Sequence, residues 1–220
     1  MSASRFASLR SDELIPVVPQ QLELENRQYQ IFLEQKVRER TKELNSKAME
    51  LQKAYGLLKS MNIQFVNVLA ETIEAKDRHT RGHCNRMRSI CVELGRLSGL
   101  TPDELEVLEY ASLLHDLGKI GVNEAILNKE GPLTAEECAR IKEHAEIGEK
   151  ILLGIPMMEF VATIIGSHHE NFDGSGYPRR KKGSDIPLEA RIIAVADIYD
   201  AMRSDRPYRK GLPIDVILGE

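Results

Sequence analysis

Residues 112–122 read SLLHDLGKIGV and set an imidazole, His115, beside a carboxylate, Asp116, at the end of an apolar run, with Lys119 three positions on. A buried carboxylate costs several kcal/mol unless it is paired or metal-bound. The rest of the chain supplies candidate partners, because all six histidines fall between positions 79 and 169. His83 shares a helical face with Met87, Ile90 and Leu94, and His115 follows Leu108 and Ala111 on another. His144 lies at the edge of a stripe marked by Cys138, Ile141, Ala145 and Leu152. His168 aligns with Val161 and Ile164, with His169 beside it, and Asp197 and Asp200 share a face with Ile193.

Taken singly, a histidine on an apolar face reads as a hydrogen-bonded core residue. Inward polar groups on five helices are different, because convergence on metal ions offsets their desolvation together. Imidazoles and carboxylates without thiolates suit iron or manganese, and also nickel or zinc, better than magnesium or calcium. His83, His115, Asp116, His144, His168, His169 and Asp197 exceed one tetrahedral site. They suit two divalent ions with a bridging carboxylate, an arrangement that activates water for attack on phosphorus when the ions sit about 3.5–4 Å apart. Adjacent His115 and Asp116 can then reach one ion together while Asp116 also reaches the other.

The elements that must position these groups read as helical throughout, so the fold class expected is all-α: a helical bundle preceded by a long coiled-coil helix. Residues 1–21, with Pro16 and Pro19 and no periodicity, read as a disordered leader. Over 22–61, rich in Glu, Lys, Gln and Leu, apolar residues recur every seventh position at Val37, Leu44, Leu51 and Leu58, and Phe65 continues the series. Leu33, Ala54, Met61 and Val68 fill alternate seam positions, which Arg40 and Lys47 interrupt. A parallel dimeric coil fits this pattern, as does a single amphipathic helix laid on the domain. From 62 to 220 helices are predicted near 62–77, 80–98, 102–116, 135–153, 157–169 and 188–203, with capping boxes at Thr101–Glu104 and Thr134–Glu137. The Gly-rich loop NFDGSGYPRRKKGSDIP precedes the last of these, and LPIDVILGE starts like a further helix.

Composition narrows the class of protein. No apolar run approaches the ~20 residues of a membrane span. The N-terminus lacks a signal peptide's apolar core, and three cysteines form no CxxC, so a cytoplasmic protein is expected. A net charge of −4 argues against DNA binding.

HDLGK (115–119) and HHENFDGSGYP (168–178) resemble the motifs of the HD-GYP branch of the HD phosphohydrolases. IKEHAEIG, IPLEARIIAVADIYDAM and SDRPYRKG follow in matching order, and the resemblance covers residues 62 to 218. It implies an all-helical, metal-dependent phosphodiesterase that opens cyclic di-GMP to pGpG, and in some members to GMP. It places His83, His115, Asp116 and Asp197 around one ion and Asp116, His144, His168 and His169 around the second. Lys119 matches the lysine that contacts the scissile phosphate, where a fixed cation would stabilise developing charge. Gly174, Gly176, Tyr177 and Pro178 match the loop that names the branch, with Tyr177 available to stack on a guanine, while Arg206 and Arg209 match positions that hold ligand phosphate or guanine. Asp200 could orient a metal ligand, or cap local backbone. The basic run Arg179–Lys182 reads either as a solvated loop or as a steering patch for a dianion.

Two departures stand out. The family domain continues beyond the position of Glu220, so a C-terminally truncated domain is expected. His79, one turn before His83, occupies a position where a subset of the family places a glutamate and binds a third metal. A histidine could ligate there, or stand in solvent at a helix start near Asp77. The coil resembles linkers to receiver domains, so a homodimer is expected, together with an upstream receiver or sensor domain or a diguanylate cyclase partner. A related cyclic dinucleotide such as a mixed GMP–AMP ring, or a silent nucleotide-binding scaffold, are the competing readings.

Overall fold

The computed structural model describes residues 17–77, 82–204, 210–217 and 219. The chain divides into two compact units, residues 1–59 and 60–220. Among the described residues every regular element is a helix.

Helix α1 runs from Val17 to Glu74 without a break, so the coil and the first domain helix expected near 62–77 are one element, and 17–21 of the expected leader are helical. Over residues 20–59 its apolar residues are open to solvent, Leu44 at 66% and Leu51 at 72% exposure. Lys36–Glu39, Arg40–Glu43 and Lys47–Glu43 pair along its surface, each contributing only tenths of a kcal/mol. The exposed residues Leu44, Ala48, Leu51, Tyr55, Leu58, Asn62, Phe65 and Leu69 alternate by four and three. Arg40 and Lys47 flank that seam rather than interrupt it. Stripes of this kind are stable in water when a partner helix covers them.

In the second unit, Val66 and Ala70 of α1 join the core cluster, and Ile73 is buried as well. Helices α2 (His83–Leu97), α3 (Pro102–Leu114), α4 (Glu124–Leu127), α5 (Ala135–Lys142), α6 (His144–Leu153), α7 (Glu159–Ile165), α8 (Leu188–Arg203) and α9 (Ile214–Ile217) follow. Met87 and Cys91 of α2, Leu108 of α3, Ile165 of α7 and Ile193 of α8 are fully buried together. Removing side chains of this size from water stabilises by about 1.5–3 kcal/mol each. Both capping boxes form, Thr101 with Glu104 and Thr134 with Glu137, worth about 1 kcal/mol apiece. Helix α2 starts on Gly82, a left-handed residue without a capping side chain. Glu74 supplies the cap instead, accepting from the backbone N–H of Gly82 at 2.9 Å and from that of Cys84.

Three predicted helices end differently, each at a histidine. The 102–116 helix stops at Leu114, and Leu117–Gly121 form a 3-10 turn. The 135–153 helix breaks at Glu143 into α5 and α6. The 157–169 helix shrinks to α7, and His168 and His169 sit in the turn after it. At all three places a histidine ring bonds the carbonyl three residues back: His115 to Ser112, His144 to Ile141 and His168 to Ile165. A ring that takes this carbonyl competes with the helical ladder. The predicted C-terminal helix is a single turn, α9.

Candidate metal centre

The same three contacts orient the rings. A carbonyl only accepts, so Nδ1 of each ring carries the hydrogen and Nε2 is left with its lone pair. His83 is fastened likewise, its Nδ1 lying 2.8 Å from Asp200 Oδ2. Asp200 also accepts from Arg86 Nε at 2.6 Å. The freed nitrogens converge in two groups. His83, His115 and Asp197 present donor atoms within 4.8 Å of one another, and so do His144, His168 and His169. His83 Nε2 is 3.2 Å from His115 Nε2, and His144 Nε2 is 3.4 Å from His168 Nε2.

Asp116 stands between the groups, with Oδ2 3.6 Å from His115 Nε2 and Oδ1 3.7 Å from His144 Nε2. His115, His144 and His168 are at most 2% exposed, and facing nitrogens 3.2 and 3.4 Å apart leave no room for a water between them. Facing lone pairs at hydrogen-bond distance are unfavourable without a cation between them. The nitrogen and carboxylate donor set therefore fits divalent transition ions, with one carboxylate able to serve both.

Proton affinities support this division. Burial, then the neighbouring His169, pushes His168 well below the ordinary histidine value, and burial lowers His144 too. His169 falls to about 3, from burial first and then His144. These rings are neutral near pH 7, as ligands must be. At His83 burial is the largest single influence and works against the charge. Its bond to Asp200 and the charges of Asp116 and Asp197 outweigh it, and the pKa rises. Burial likewise opposes ionisation of Asp116, but Lys119, His115 and His144 together hold its carboxyl well below the usual range.

Lys119 Nζ lies 2.8 Å from both Asp116 Oδ2 and Asp77 Oδ2. Burial disfavours its charge, yet Asp116 and Asp77 prevail and its pKa is raised. Lys119, Asp77, Asp116, His169, Tyr177 and Asp197 line an open cleft of about 340 Å³. Within the loop, one face of the Tyr177 ring stacks on His169, with centroids 4.8 Å apart, and Lys142 Nζ is 5.0 Å from its centroid. The Tyr177–Pro178 peptide is cis. Gly176 passes against backbone, where a Cβ would lie 2.2 Å from Asn171 N, and Gly174 is left-handed at φ 83°. The basic run is partly spent inside the molecule. Arg179 pairs with the buried Glu149, Lys181 donates to Ser167 Oγ at 3.0 Å, and Glu170 accepts from the backbone N–H of Arg179 and Lys181. His79, Arg206 and Arg209 lie outside the described residues.

Sequence reasoning overlooked Lys76, Asp77, Arg86 and Gly118. A Cβ on Gly118 would sit 1.8 Å from the His144 carbonyl oxygen, so this glycine lets the 3-10 turn carrying Asp116 and Lys119 close on α6. Its place inside HDLGK was the available signal. Asp77 gave none, since it meets Lys119 across 42 residues of sequence.

An all-helical domain organised around a His–Asp pair defines a fold class, and comparison identifies it. The HD domain family model matches residues 67–217, and the chain belongs to that family. It is 40% identical over 154 residues to 3'3'-cGAMP-specific phosphodiesterase 2 of Vibrio cholerae, covering 69% of this chain and 30% of that one. It is 37% identical over 190 residues to the cyclic di-GMP phosphodiesterase response regulator RpfG of Xanthomonas campestris pv. campestris, covering 83% of this chain and 50% of that one. Among solved structures it is similar to Bd1817, a HDG"Y"P protein from Bdellovibrio bacteriovorus, with a TM-score of 0.53 and 22% identity over 73% of this chain and 55% of that one. The chain thus spans half or less of the length of these two curated relatives. No helix among the described residues is long and apolar enough to cross a membrane.

Proposed function

We propose that this protein hydrolyses a phosphodiester bond of cyclic di-GMP, giving linear pGpG. The observation that carries the reading is the placement of Asp116 between two three-donor groups, with the Lys119 ammonium beside it at the cleft. Two divalent ions, iron or manganese before nickel or zinc, would supply Lewis acidity and an activated water when bound. His83, His115 and Asp197 would hold one, His144, His168 and His169 the other, with Asp116 shared. Asp200 fixes the tautomer and tilt of His83. Lys119 offers a permanent positive charge to a phosphoryl oxygen, and Tyr177 and its loop form the wall that a nucleobase would meet. Arg206 and Arg209 are proposed to hold the second phosphate or a base, and His79 either to ligate a third ion, which would favour further cleavage to GMP, or to take no part in the site.

The 40% identical Vibrio cholerae relative, named for 3'3'-cGAMP, favours a second reading in which the mixed ring is the preferred substrate. The uncovered seam of α1 supports a parallel homodimer, and we place the protein in the cytoplasm, with a receiver, a sensor or a diguanylate cyclase as signalling partner. The test is anaerobic reconstitution with Mn²⁺ or Fe²⁺, followed by chromatography of products from cyclic di-GMP and 3'3'-cGAMP side by side. Faster conversion of cyclic di-GMP to pGpG is expected. Faster cleavage of the mixed ring would move the assignment to the second substrate, and cleavage of neither would overturn it.

A further inference from the structure

Immediately after α1, two adjacent residues of opposite charge grip one active-site residue at both of its ends. Lys76 Nζ donates to the backbone carbonyls of Lys119, Ile120 and Val122 at 3.1, 2.8 and 2.6 Å. These carbonyls lie in and just after the 3-10 turn, where helical acceptors lose their partners and a cation is favourable. Asp77, only 6% exposed, accepts the Lys119 side-chain ammonium at 2.8 Å. The carbonyl of Lys76 is itself held by Asn128 Nδ2 at 2.8 Å. Lys119 is thus anchored through its backbone by one residue and through its charge by the next.

The anchoring matters because of what else the ammonium touches. Lys119 Nζ also lies 2.8 Å from Asp116 Oδ2, the oxygen that faces His115. An ammonium settled on that oxygen competes with any cation for the same lone pairs. Asp77 belongs to neither donor group but lines the same cleft. We propose that Lys76 and Asp77 are positioning residues for Lys119. Lys76 fixes the turn that carries it, and Asp77 shares its ammonium with Asp116, so that Asp116 does not hold it alone. An ammonium shared in this way yields the Asp116 oxygen to a metal ion more readily and stays at the cleft for a substrate phosphate. This deepens the phosphodiesterase reading and rests on it for the role of Lys119.

The test uses the full chain with Lys76→Met, Asp77→Asn and Lys119→Met, alone and combined. Asp77→Asn should weaken Mn²⁺ binding to metal-free protein about tenfold. Adding Lys119→Met should restore it, and Lys119→Met alone should bind Mn²⁺ at least as well as wild type. Unchanged affinity in Asp77→Asn, or no recovery in the double variant, overturns the role of Asp77. Lys76→Met should speed amide exchange over residues 117–122 about tenfold, and retained protection removes its role. For turnover, both single variants should lower kcat about 10- to 100-fold with little change in KM. In the Lys119→Met background neither should lower kcat further, whereas multiplying losses would show that they act elsewhere. If wild type cleaves no cyclic dinucleotide, the phosphodiesterase reading fails while the Mn²⁺ and exchange results still decide the grip on Lys119.

Discussion

His83, His115 and Asp197 meet beside a second carboxylate, Asp200, whereas the members of the other donor group, His144, His168 and His169, are all imidazoles. The same residue type therefore takes opposite proton affinities about one ring apart. Near the carboxylates His83 is raised despite burial, while burial and neighbouring imidazoles push His168 and His169 down. Asp116 joins the two and is kept ionised by groups on both sides. A divalent ion should complete both halves for different reasons. In the carboxylate-rich half it meets neighbouring negative charge that also favours a proton, and in the imidazole half it fills a place that a proton avoids.

The largest expected effect comes from removing what the halves share. Asp116→Ala should lower turnover at least about 10³-fold and reduce metal at both positions, whereas His83→Ala and His169→Ala should each cost about one ion per chain. Metal analysis under reducing conditions checks this, and loss of both ions in either histidine variant would show that the halves are not separable. Next comes the packing that brings them together. Gly118→Ala should destabilise by about 3 kcal/mol or more through the clash with the His144 carbonyl, read from denaturant midpoints.

The electrostatic contrast itself can be tested in metal-free protein. His169 has a folded value of about 3 against an ordinary 6.5, so below pH 6.5 the unfolded chain binds a proton that the folded one refuses. Stability should be lost progressively from pH 6.5 toward 3, and His169→Gln should flatten that fall. His83 acts in the opposite sense. Its raised value adds stability that is full below 6.5 and disappears as pH rises through its folded pKa, so His83→Gln should remove a gain that sets in as pH falls toward 6.5. Thermal melts across pH 4–8 read both, and parallel slopes in the two variants would erase the contrast. The smallest effect on the site is expected far along α1. Leu44→Glu with Leu51→Glu should give monomers by light scattering and change kcat less than about threefold, because the seam is distant in sequence from every proposed ligand.

Much of this was legible before the structure because it is local. The two capping boxes needed only four residues each, and the inward histidines followed from apolar spacing. The carbonyl contacts that end α3, split α5 from α6 and end α7 were not legible, since a histidine at a helix position gives no sign that its ring will bond three residues back. The grip of Lys76 and Asp77 on Lys119, and the approach of Gly118 to His144, depend on tertiary closure between distant segments. Spacing along the chain does not encode such meetings.

The central claim is that Asp116 unites two ion positions into one phosphodiesterase centre. Stepwise anaerobic addition of Mn²⁺ to metal-free wild type, with metal occupancy and cyclic di-GMP hydrolysis followed together, tests it most directly. Hydrolysis to pGpG that stays low through the first equivalent and rises with the second is the predicted result. Full hydrolysis at one ion per chain, or undiminished hydrolysis with chelator present, would contradict it.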